Sequence, residues 1–120
     1  MEVMAPPQPS AVSSLFEGLR SPAERIERLV REAFAIYERG APELQVIRSE
    51  PGAHPSVGEA GDAVEASLSA LIDAAGVAPA DRPVVRAMVD LGTWQALRDQ
   101  GLEPAEAVEA VAQMLLSRLI

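Results

Sequence analysis

The chain holds one histidine, His54, and no cysteine. That leaves little for most reaction chemistries to work with. His54 stands in Pro51-Gly52-Ala53-His54-Pro55, whose turn residues mark a loop. No cluster of partner ligands accompanies it, whereas a metal ion needs several convergent donors. A Ser-His-Asp relay cannot be built around one loop histidine either. The lack of cysteine excludes disulfides, thiolate metal sites and a cysteine nucleophile. Carboxylates are plentiful, but they alternate with arginines on helix faces. Glu24 with Arg28, and Glu27 with Arg31, have the i,i+4 spacing of solvated ion pairs. No catalytic residue, cofactor or metal is therefore expected, and the chain is read as not an enzyme. Tyr37 is the polar side chain of most interest. It falls on an apolar stripe, and a buried phenol needs a hydrogen-bond partner.

The charge balance narrows the partners. Acidic residues number 18 against 10 Lys and Arg, a formal net charge of −8. All ten cations are arginine, and asparagine is absent. Gripping a phosphate backbone needs a cationic face, and reading base edges draws on Arg, Lys, Asn or Gln. The arginines here are scattered among carboxylates, so no direct nucleic-acid contact by this chain is expected. The first residues, Met1-Glu2-Val3-Met4-Ala5-Pro6-Pro7, lack the cationic and apolar regions of a signal peptide. No apolar run could span a bilayer. The cytoplasm, and no membrane partner, is the expectation.

Composition also sets the kind of core. Hydrophobic residues make up 48% and aromatics 3%, so the core must be aliphatic. Abundant Ala, Leu, Glu and Arg favour helix over sheet. Residues 1–20 read as a Pro-containing linker (Pro6-Pro7-Gln8-Pro9) followed by a short leading helix over 11–19. Residues 21–120 read as one helical domain. Ser21-Pro22-Ala23-Glu24 has the form of a capping box with proline at the first helical position. The helix it starts carries Ile26, Leu29, Val30, Ala33, Phe34 and Tyr37 on one stripe and is expected to stop at Gly40. A further helical segment is predicted over 41–50, and a long helix over 56–75. Another is predicted over 81–100, unbroken, with Gly92 in its middle. A last one begins at Glu103-Pro104-Ala105-Glu106 and runs to the C-terminus.

The last two helices carry more apolar surface than one core-facing stripe requires. On the final helix, Glu106, Glu109, Gln113 and Ser117 form one narrow polar stripe. Val108, Ala112, Leu115 and Leu119 make one apolar row, and Ala107, Val111 and Met114 make another. The expectation is that one face packs inward and the other meets a second copy. The two helices of each chain would then form a four-helix interface. Val85, Met88, Gly92, Val108, Val111, Ala112, Leu115 and Leu119 are its candidate residues. The predicted fold is thus an all-α antiparallel bundle of about five to six helices that dimerises through its last two.

At this point the residues carry a resemblance. Arg86-Ala87-Met88-Val89-Asp90-Leu91-Gly92-Thr93-Trp94-Gln95-Ala96-Leu97-Arg98-Asp99-Gln100-Gly101-Leu102, followed by Pro104-Ala105-Glu106-Ala107-Val108, resembles a segment common in TetR-like transcription regulators. Ser21-Pro22-Ala23-Glu24-Arg25-Ile26, Phe34-Ala35-Ile36-Tyr37-Glu38-Arg39 and Val46-Ile47-Arg48-Ser49-Glu50 resemble the first long helix of the same regulatory domain and the stretch that follows it. The resemblance covers nearly everything after residue 20 and rests on diffuse helical patterns. It implies a C-terminal domain that binds a small, mostly apolar effector, forms a homodimer and controls DNA binding by an N-terminal helix-turn-helix. No helix-turn-helix is read before Ser21, so DNA contact is expected only through that missing unit. An effector pocket between helices would draw on Phe34, Tyr37, Ile47, Arg48, Leu68, Ile72, Met88 and Trp94. Tyr37 and Arg48 would orient a polar group. The alternative is a helical dimerisation or interaction module with no ligand: a large internal pocket would favour the first reading, and a filled core the second.

Overall fold

Six α-helices make up most of the chain in a computed structural model that describes residues 9–49 and 55–119. They are α1 (Pro9–Ser14), α2 (Pro22–Ser49), α3 (Pro55–Ala75), α4 (Arg82–Met88), α5 (Leu91–Asp99) and α6 (Pro104–Leu119). A single 3-10 turn, Pro79–Asp81, precedes α4. No strand occurs among the described residues, and the fold is an all-α helical bundle. No helix among them is long and apolar enough to cross a membrane.

Helix starts and stops follow local chemistry. The Glu24 backbone N–H donates to Ser21 Oγ at 3.1 Å, and the Ser21 N–H donates to Glu24 Oε1 at 3.2 Å. This reciprocal box satisfies donors that an open helix end would leave orphaned. Those same bonds hold the Glu24 carboxyl below its ordinary range. At the end of α5, Gly101 takes φ 95, a conformation cheap only for glycine. It lets the Gly101 N–H donate to the Arg98 carbonyl and the Leu102 N–H to the Leu97 carbonyl, which is a Schellman closure.

Three expected boundaries change. The leading helix spans Pro9–Ser14 rather than 11–19, and the chain turns over residues 15–18. Val12 and Phe16 nevertheless both enter the core. Gly40 does not end α2. The helix continues across a kink there, with Gly40 at φ −118 and ψ 19. The predicted 81–100 helix is two helices, because Asp90 takes an extended conformation (φ −69, ψ 154) and caps α5. Gly92 is therefore the second residue of a helix, not its middle, and its N–H is taken by Asp90 Oδ2 at 3.0 Å.

α2 is the centre of the bundle, packed against α3, α6 and α5. Leu29, Val30, Ala33, Phe34 and Tyr37 from α2 meet Leu68, Leu71 and Ile72 from α3 and Val111 and Leu115 from α6 in one buried cluster. Each fully buried Leu, Ile, Val or Phe contributes roughly 1.5–3 kcal/mol. Surface ion pairs such as Arg31 with Glu27, both sides more than half exposed, contribute about 0–1 kcal/mol. Apolar burial, not charge pairing, holds the fold. The expected Glu24–Arg28 pair does not form: Arg28 Nη1 donates to the Leu15 carbonyl instead, tying the turn after α1 to α2.

Candidate functional site

Two places combine chemistry with shape. One is internal, around Tyr37. The other is the surface of α6 on its two flanks.

Tyr37 lies on the inner face of α2 and is 1% exposed. Its ring centroid sits 6.2 Å from that of Phe34 and 5.9 Å from that of Trp94, both pairs tilted, a favourable aromatic geometry. Its hydroxyl donates to the Val89 carbonyl at 2.6 Å. The break between α4 and α5 exposes that acceptor, since a continuous helix would have used it internally. Burial pushes the phenol above its ordinary range, so Tyr37 stays neutral and remains a donor. The break is closed further by the Thr93 hydroxyl, which donates to the Ala87 carbonyl at 2.9 Å.

Charged side chains fasten the rim of this core. Arg86 binds Glu65 of α3 through two parallel bonds, Nε to Oε2 at 2.9 Å and Nη2 to Oε1 at 2.7 Å, and reaches Asp90 with Nη1 at 3.0 Å. Such a fork is the strongest ordinary form of ion pair. The hydrogen bonds with Arg86 hold Glu65 low, and those with Glu65 hold Arg86 firmly protonated. Trp94 Nε1 donates to Glu38 Oε2 at 2.8 Å, and Arg98 Nε lies 3.4 Å from the same oxygen. Arg82 pairs with Asp73 between α4 and α3.

The pocket candidates separate into groups. Phe34, Tyr37, Leu68, Ile72 and Trp94 come together, but as packed core, none more than 4% exposed. Protein atoms surround each of them, leaving no water-sized space along most of their surfaces. Met88 is half-buried at the end of α4. Ile47 and Arg48 lie in α2 beyond the kink, where their side chains fall outside the described residues, as does His54. Sequence reasoning missed Glu38, Glu65, Arg86 and the Val89 carbonyl. Only Glu38, one residue from Tyr37, carried a positional hint.

The interface candidates also separate. Val85, Val108, Val111, Ala112 and Leu115 are buried within this one chain. The chain covers both apolar rows of α6 itself, against the expectation that one row is left over. What stays outside is smaller: Met114 at 49% exposure is the one exposed large hydrophobic residue among those described. Met88, Gly92 and Leu119 are half-buried.

On the opposite flank of α6 a groove runs against α2. One cavity of about 510 Å³ includes Ala23, Glu27, Ala112 and Leu116 in its lining, and a second of about 390 Å³ includes Phe34, Ala35, Arg39 and Pro104. The two share Arg31, Ala105 and Val108 and so form one continuous channel. Its floor is alanine and valine, and its rims are charged. Among the described residues no group of three or more His, Asp or Glu could hold a metal ion. No protein-family model, curated protein or solved structure matches the chain.

Proposed function

We propose that the chain is a dimerising regulatory domain of the TetR-like kind, acting as a helical interaction module. The observation that carries this reading is Met114. It extends the buried row of Ala107 and Val111 to the surface of α6, half exposed in a chain that hides its other large apolar side chains. Ala110 is half-buried one turn away on the same flank. Helices α4 and α5 pack beside α6, and Met88 and Gly92 remain partly open there. Such a surface suits a two-fold contact with a second copy, in which the same patch meets itself. In a regulator of that kind, paired copies set the spacing of two helix-turn-helix units, and this acidic chain would supply the pairing.

The interaction-module reading is preferred over an effector enclosed at Phe34, Tyr37, Leu68, Ile72 and Trp94, because those side chains occupy the space an effector would take. An effector would need to separate α2 from α5 and break the Tyr37 bond to Val89. Met114→Glu tests the proposal. The variant should keep its helical circular dichroism and become monomeric by light scattering at tens of micromolar, where the parent chain is dimeric. A parent chain that is monomeric, or a variant that stays dimeric, overturns it.

A further inference from the structure

The groove between α2 and α6 has an electrostatic polarity that its sequence alone does not display. α6 returns antiparallel to α2, so Leu116 lies with Ala23 at one end and Pro104 lies with Arg39 at the other. Most rim charges are already neutralised inside the chain: Glu27 by Arg31 and Glu38 by Arg98. Two are not. Glu24 makes its bonds to Ser21, which leave its negative charge in place. Arg39, exposed at the other end, has no ion-pair partner among the described residues. Fifteen positions of helix separate them, about 22 Å along the axis. One end of the groove is therefore anionic and the other cationic, with a floor of small side chains between them.

We propose that this groove takes a second copy of the same chain, docked antiparallel across a two-fold axis, so that Glu24 meets the partner's Arg39 and Arg39 meets the partner's Glu24. Two-fold symmetry makes each contact occur twice. The small floor residues Ala35, Ala105 and Ala112 let the α2 helices approach closely. A strip about 22 Å long and two helices wide covers on the order of 400 Å² per copy, at the small end of specific interfaces. The association is accordingly weak, and the charges set its orientation more than its strength. This face is separate from the Met114 flank. The inference rests on the interaction-module reading and adds a second surface to it.

The test is sedimentation equilibrium of the full chain from about ten to several hundred micromolar, where an interface of this size associates. Arg39→Glu and Glu24→Arg each place like charges in both contacts. Each variant alone should associate at least about tenfold more weakly than the parent. An equimolar mixture of the two should recover the parent affinity, because both contacts are then opposite in sign. Circular dichroism checks that both variants keep their helices. Ala105→Trp, at an exposed position on the floor, should abolish the association without touching any charge. Failure of the mixture to recover, or full association by Ala105→Trp, overturns the proposal. If only Met114→Glu dissociates the chain, the groove inference falls and the α5–α6 dimer stands. A chain monomeric throughout the range overturns both.

Discussion

α2 builds two different surfaces. Its inner face, through Phe34 and Tyr37, is sealed against α3 and α5. Its flank, through Ala23, Arg31 and Ala35, faces α6 across an open groove. Large side chains close the first and small ones leave the second open. The difference is one of side-chain volume and hydrogen bonding, since both are made by the same helix. Tyr37 uses its hydroxyl to complete the backbone of the α4–α5 break, so the sealed region is fixed by direction as well as by packing. Nothing comparable fixes the groove, whose polar groups are rim charges in water. Stability should therefore concentrate around Tyr37, and association at the surface.

The largest effect should come from removing the sealed ring. Tyr37→Ala leaves a cavity between α2 and α5, and large-to-small changes of this kind cost about 3–5 kcal/mol. Urea unfolding should show a correspondingly lower midpoint, or no cooperative transition. Tyr37→Phe keeps the ring but strands the Val89 carbonyl. A buried acceptor without its donor costs about 1–3 kcal/mol, and amide exchange should accelerate in residues 89–93 before it does elsewhere.

Tyr37 is the only tyrosine in the chain, so phenolate absorbance reports on it alone. Burial raises its folded value above the ordinary one near 10. Stability from this group is complete below about pH 10 and is lost as pH rises, because the unfolded chain ionises first. Phenolate absorbance should appear together with loss of helix, not as a separate earlier titration. A phenol titrating near pH 10 with the helices intact would show that the region is not sealed.

Smaller effects sharpen the contrast. Asp90→Ala removes the cap of α5, at about 0.5–2 kcal/mol, while Arg86 keeps Glu65; thermal unfolding measures the loss. Ser67, 3% exposed on α3, has no hydrogen-bond partner for its hydroxyl. Ser67→Ala should raise stability by about 1 kcal/mol, seen as an increase in Tm.

Much of this was legible in the residues. Ser21 and Glu24 announced the start of α2, and Gly101 the end of α5, because caps are local. The requirement that Tyr37 find a partner was also legible, but the partner was not. Val89 has a free carbonyl only because the helix breaks after Met88, and apolar spacing through Val85, Met88, Val89 and Leu91 masked the break. The signal was Asp90 followed by Leu91-Gly92-Thr93: a capping residue with its donor two positions on. The fate of α6 was less legible. Periodicity finds two apolar rows on one helix, but it does not say which neighbour covers each. Val108, Val111, Ala112 and Leu115 are covered from within the chain, which leaves Met114 and the half-buried residues near it to meet a partner.

That pairing is the central claim, and the molar mass of the unmodified chain in solution tests it most directly. One chain is 12.7 kDa. Light scattering at tens of micromolar should give about 25 kDa, two copies related by a two-fold axis. A mass of one chain, unchanged up to several hundred micromolar, would contradict the account.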